Sequence, residues 1–137
     1  MSWDQVRSYE RHGMSFGPHT VSHPILSRTQ PERASREISE SWRRVQAEAR
    51  NPVPIFCYPN GRLNADFGDR EVAIARKLGL LGAVSTEAGA ADPVSFQQGS
   101  DGPFTTKRLP FPEELSDLAQ YVGGIERFKQ VLRGLLI

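Results

Sequence analysis

Apolar positions recur most regularly between residues 34 and 49. Ala34, Ile38, Trp42, Val45 and Ala49 fall three or four apart, separated largely by Arg, Glu and Ser. That spacing predicts an amphipathic helix with a charged, solvated outer face. Thr29 and Glu32 form a T-x-x-E capping box at its start, with Pro31 in the first turn, and Asn51-Pro52 ends it. A shorter helix is predicted over 2–12, capped by Ser2, marked by Trp3, Val6 and Tyr9 or Glu10, and stopped at Gly13. A third runs from Asp69 to Leu78, with Val72, Ala73, Ala75 and Leu78 inward and Gly79 at its end.

Between these helices the pattern changes to unbroken apolar runs. VPIFCY at 53–58 and LLGAVS at 80–85 read as buried strands, and MSFG at 14–17 and KRLPF at 107–111 as shorter ones. Residues 87–105, rich in Gly, Ala, Asp, Pro and Ser, read as a long surface loop. Glu113–Tyr121 and Ile125–Leu136 read as helices broken at Gly123-Gly124. Helices and strands thus alternate, which predicts an α/β fold built from βαβ units around a parallel sheet or barrel. Functional groups in such folds gather at the C-terminal ends of strands. Three loops qualify: Gly17–Pro24 after the first strand, Tyr58–Gly61 after the second, and Thr86-Glu87 after the third.

Composition narrows the classes. At 137 residues the chain fits one domain, 1–137. Lys plus Arg is 17 and Asp plus Glu is 16, a net charge of +1 that argues for neither nucleic acid nor a membrane surface. Cys57 is the only cysteine, which excludes an intramolecular disulfide and a cysteine-based zinc site. No apolar run approaches the ~20 residues of a membrane span. MSWDQVRSYERHG is polar from its start and is no signal peptide, so the chain as written reads as cytoplasmic unless an upstream segment precedes it.

Candidate chemistry sits in the strand-end loops. GPHTVSHP holds two of the three histidines, His19 and His23, four apart. Imidazole nitrogen is a favoured ligand for zinc and also suits Fe, Co or Ni. Alternatively, the pair is a polar turn that caps backbone groups. The glutamate of an H-E-x-x-H site is absent, since Thr20 stands in its place. Tyr58-Pro59-Asn60-Gly61 is either a plain βα turn or one whose backbone N–H groups hold an oxyanion. Arg108, inside a strand, either pairs a carboxylate or lies on an exposed edge. His12 reads as a surface residue.

WDQVRSYERHGMSFGPHTVSHPIL, EISESWRRVQ, PIFCYPNGR, AIARKLGLLGAVSTEAG and KRLPF, in that order, resemble the polysaccharide deacetylase family, the NodB-homology domain. His19-Thr20-Val21-Ser22-His23 matches the family's H-[ST]-x-x-H motif, and the Y-P form of the turn is similar to that of bacterial exopolysaccharide deacetylases. The resemblance implies a distorted (β/α) barrel, here partial, with mostly parallel strands. It implies metal-assisted removal of an N-acetyl group from an amino sugar, with zinc the usual metal. His19 and His23 match two metal ligands, an aspartate is the third, and a neighbouring aspartate is the base. Tyr58, Pro59 and Asn60 match the family's oxyanion turn, whose backbone N–H steadies the oxyanion, and Arg108 matches an arginine common in the branch, as a possible supporting residue.

The chain departs from the family in three ways. No Asp-Asp dipeptide occurs in it, so the zinc ligand set is incomplete; Asp66, Asp69 and Asp92 match no family ligand. Asn60 follows the turn proline where the family often has tyrosine, and Val84-Ser85-Thr86 stands near the place of a late histidine. The expected reading is the C-terminal portion of a deacetylase domain, inactive as this chain, whose carbohydrate partner is N-acetylated. Its open barrel edge calls for an oligomer or a covering partner. Two alternatives are a non-catalytic carbohydrate-binding or scaffold remnant of the fold and a small metal-binding protein.

Overall fold

The computed structural model describes residues 1–91, 96, 102–125, 128, 129 and 131. Three strands, β1 (Ile55–Cys57), β2 (Gly82–Ala88) and β3 (Thr106–Arg108), form one sheet in the order β1-β2-β3. Both pairings are parallel; Cys57 stands opposite Val84, and Val84 opposite Thr106. Among the described residues the sheet is open and does not close into a barrel. The predicted strand at 14–17 is absent as such. Phe16 makes a single parallel bridge to Pro52, and Pro18, with no N–H to give, breaks the ladder there. The segment still runs along β1, with Val53 N–H donating to Phe16 O at 2.8 Å and Cys57 N–H to Pro18 O at 3.0 Å.

The other element boundaries also moved. β2 runs past Ser85 to Ala88, so Thr86-Glu87 is strand rather than loop. β3 begins at Thr106 and ends before Pro110 and Pro112, which cannot donate to a ladder. Part of 87–105 is structured: Gly102–Phe104 forms a 3-10 turn, and Phe104 is buried beneath the Arg76 guanidinium, 5.0 Å from its ring centre. Asp92 and most of Ile125–Leu136 lie outside the described residues.

Of the helices, α1 (Trp3–Glu10) keeps its Ser2 cap, with Ser2 N–H donating to the Gln5 side chain at 2.7 Å. The long helix α2 (Pro31–Glu48) has Gln30, not Thr29, at its N-cap position, with no side-chain cap bond. A 3-10 turn at Leu26–Arg28 claims Thr29, whose hydroxyl donates to Leu26 O at 2.6 Å. The inward stripe of α2 holds Ala34, Ile38, Trp42 and Val45, as the periodicity predicts, with Ala49 buried just beyond, and also Glu37 and Ser41. In α3 (Asp69–Lys77) Val72 and Ala75 are buried, but Ala73 is exposed and Glu71 takes the inward place. Glu71 is tolerated because it accepts Gly68 N–H at 2.9 Å and Arg70 Nε at 2.7 Å. α4 spans Leu115–Val122 and buries no residue fully.

The core joins α2, α3 and the helix-facing side of the sheet through Ile38, Trp42, Phe56, Tyr58, Phe67 and Ala83. Tyr58 stacks on Phe67 with ring centres 3.6 Å apart. Strand alternation sends Ile55, Cys57, Val84 and Thr86 to the other, half-covered face. No helix among the described residues is long and apolar enough to cross a membrane.

Gly17 lies hard against β1. A Cβ there would stand 2.4 Å from Ile55 O and 3.1 Å from Val53 O. Gly17→Ala is therefore expected to cost about 1–3 kcal/mol in urea unfolding, the usual size of an overpacking strain. A variant as stable as the parent would mean that the histidine loop does not depend on this contact.

Candidate functional site

The loop from Pro18 to Pro24 brings His19 and His23 together without a helical turn. Their ring centres are 4.8 Å apart, at 75° to one another. His19 Nδ1 lies 2.7 Å from Cys57 O. A carbonyl only accepts, so the proton of neutral His19 sits on Nδ1 and the Nε2 lone pair is left outward. Two non-glycine residues adopt positive φ in this loop, Thr20 at 63° and His23 at 56°. The Thr20 hydroxyl supports both, donating to His19 O at 2.5 Å and accepting His23 N–H at 3.1 Å.

The loop is fastened from α2. Glu37 Oε2 accepts Val21 N–H at 2.9 Å and Ser22 N–H at 2.8 Å, and Oε1 accepts the Ser22 hydroxyl at 2.5 Å. Burial opposes ionisation of Glu37, but the Ser22 and Val21 hydrogen bonds and the Arg33 charge outweigh it. They hold its carboxyl below the usual glutamate range. Sequence reasoning assigned the Arg and Glu positions of α2 to solvent and missed this residue. The signal was available, because 37 lies three after Ala34 and four before Ser41, inside the apolar stripe.

The Tyr58–Gly61 turn follows β1 directly. Tyr58 N–H is spent on Val84 O at 3.2 Å, Pro59 has none, and Gly61 N–H donates to Pro59 O at 2.6 Å. Among the described residues only Asn60 leaves a turn N–H without a protein acceptor, and it is exposed, with φ 57°. Of Tyr58, Pro59 and Asn60, the geometry therefore leaves one backbone donor, at Asn60. Thr86 clamps the turn from β2: its N–H donates to Gly61 O at 2.9 Å and its hydroxyl donates to Asn60 O. Gly61 is required there, because a Cβ would lie 2.8 Å from Thr86 N and φ is +70°.

Arg108 closes the group at the end of β3. It is exposed, makes no ion pair among the described residues, and places Nη1 3.9 Å from Cys57 Sγ. Burial pushes the Cys57 thiol up, and Arg108 opposes that shift. Histidine loop, turn and arginine thus meet at the C-terminal ends of the three strands. The acidic residues weighed as further ligands do not join them. Asp66 is fully buried and gripped by Arg62, with Nε at 3.0 Å and Nη2 at 3.2 Å, which holds its carboxyl low. Asp69 is exposed in the first turn of α3. Among the described residues no three His, Cys, Asp or Glu side chains converge to hold a metal. His12 is exposed on the last turn after α1, its Nδ1 2.9 Å from Ser8 O.

This architecture has known relatives. Residues 1–83 match the family model described as polysaccharide deacetylase. YxkH of Bacillus subtilis (strain 168), whose name assigns it to the polysaccharide deacetylases, is 30% identical over 88 residues, covering 64% of this chain and 30% of that protein. The solved structure of the Streptococcus pyogenes deacetylase PplD in complex with acetate shares the fold, with a TM-score of 0.73 and 24% identity. That likeness covers 88% of this chain and 50% of PplD, so the chain spans half or less of each relative.

Glu37→Gln should loosen the histidine loop, since an amide cannot match a carboxylate as acceptor of three hydrogen bonds. The expected loss is about 1.5–3 kcal/mol in chemical unfolding, the range for a hydrogen bond to a charged group. Glu37 and Asp66 both have folded pKa values lowered from the ordinary ~4 of carboxylates. Their stabilisation is complete above that ordinary value and is lost as pH falls through the lowered folded values. Stability measured against pH should therefore decline on acidification, and less steeply in the Glu37→Gln variant. An unchanged profile would remove Glu37 as the fastening group.

Proposed function

The chain belongs to the polysaccharide deacetylase family, and from that premise we propose that it serves metal-dependent N-deacetylation of a carbohydrate. The reaction is hydrolysis of a non-peptide carbon–nitrogen bond: water adds to the acetamide carbonyl, the C–N bond breaks, acetate leaves and the amine takes a proton. The observation that carries the reading is the histidine pair. His19 is oriented through Nδ1 by Cys57 O, and His23 stands 4.8 Å away, ring centre to ring centre. A carbonyl behind one imidazole is the usual outer support of a metal-binding histidine, so these residues suit two positions of a zinc shell. When bound, zinc supplies Lewis acidity toward the amide carbonyl and lowers the pKa of water.

The chain's own residues supply part of the machinery. His19 and His23 would hold the metal. Asn60 N–H donates to the carbonyl oxygen as it gains negative charge, and Thr86 keeps that donor in position through Asn60 O and Gly61 O. No Asp-Asp pair occurs in the sequence, and no third ligand converges among the described residues. We assign the third ligand and the base to residues outside these 137, which makes the chain alone inactive. The same lack favours a second reading, a glycan-binding module without chemistry. The outer edge of β3 and exposed Leu115 and Val122 support a covering partner or second copy.

Two imidazoles should bind zinc weakly, and calorimetry on His19→Ala and on His23→Ala should each show that binding disappear. Tight binding that survives both changes would put the site elsewhere. The 137-residue chain should release no acetate from N-acetylglucosamine oligomers with zinc added. A form extended by a strand carrying Asp-Asp should release it, and a chelator should stop it. Oligosaccharide binding indifferent to zinc and chelator, without acetate release in either form, would establish the second reading instead.

A further inference from the structure

Beside the histidine pair, a cleft of about 650 Å³ opens between the ends of β2 and β3 and helix α4. Thr86, Arg108, Phe111, Pro112, Leu118 and Tyr121 are among its walls. Its lining lies beyond residues 1–83, the span matched by the family model. Two of its residues also touch the candidate site. Thr86 holds the Asn60 turn, and Arg108 reaches to 3.9 Å from Cys57 Sγ, on the residue whose carbonyl orients His19. These two contacts tie the cleft to the candidate site.

The lining has the chemistry of a saccharide subsite. Sugar rings present apolar C–H faces that pack on aromatic and proline surfaces, and hydroxyl edges that need polar partners. Phe111 is 92% exposed and Tyr121 half-buried, so the first has a bare face and the second a part-open one. Arg108 is the only charged residue in the lining, and its guanidinium makes no ion pair among the described residues. A planar fork of N–H donors with no carboxylate of its own matches a carboxylate on a ligand.

Resting on the glycan reading above, we propose that this cleft is a subsite for an acidic sugar unit adjoining the N-acetylated one, with Arg108 as its carboxylate clamp. Phe111 and Tyr121 take the ring faces, and Arg108 discriminates by charge.

The test compares a neutral N-acetylglucosamine tetramer with a tetramer alternating N-acetylglucosamine and glucuronic acid, using calorimetry and amide NMR on the 137-residue chain. The acidic tetramer should bind about tenfold more tightly, the worth of one charge-assisted hydrogen bond. It should shift the amides of Thr86, Arg108 and Tyr121 together with those of the histidine loop. Arg108→Gln, a change at an exposed side chain, should erase the preference for the acidic tetramer. Phe111→Ala should weaken both tetramers. Equal affinities with shifts confined to the histidine loop would overturn the subsite and leave the glycan reading standing. No shift with either tetramer would overturn both.

Discussion

One carboxylate holds the candidate site in shape. The loop that pairs His19 with His23 bends through two non-glycine residues at positive φ, a conformation that costs about 1–3 kcal/mol each. Such a loop does not stand alone. Glu37 compensates by receiving three of its polar groups at 2.5–2.9 Å. Glu37 is itself immobile because α2 is anchored on either side of it by Ala34, Ile38 and Trp42, all buried. Hydrophobic packing of the longest helix thus becomes precision in the placement of two imidazoles that lie before Glu37 in the chain.

The strands contribute a second kind of constraint. Parallel pairing in sequential order sets the ends of β1, β2 and β3 side by side. Each end donates one element: Cys57 O orients His19, Thr86 clamps the Asn60 turn, and Arg108 stands over the thiol of Cys57. Cross-strand bonds link these elements, so they are positioned relative to one another and not only to their own loops.

The alternation of periodic and continuous apolar segments made the fold class legible. The α2 stripe, the β1 run and the Ser2 cap followed from local chemistry alone. What escaped was decided by competition between neighbours. Thr29 is a good cap in isolation, but the turn at Leu26–Arg28 takes its hydroxyl first. MSFG has strand composition, yet Pro18 stops the ladder after one bridge. Glu37 and Glu71 look solvated by type and are buried by partner, which residue identity does not reveal. For the site, spacing pointed to His19 and His23, and turn chemistry to Tyr58–Gly61. Neither could tell which turn N–H is left without an acceptor, because that depends on Val84 and Pro59 as acceptors.

The acceptor behind His19 is a main-chain carbonyl, and every amino acid has one. Position 57 is therefore free to change identity over evolutionary time without releasing the imidazole. What cannot drift is the count of residues. An insertion or deletion in the seven-residue stretch from Pro52 to Tyr58 would bring a differently directed carbonyl to that spot, since successive carbonyls along a strand point to opposite sides. The lineage of this chain is accordingly expected to tolerate substitution here and to reject changes in length.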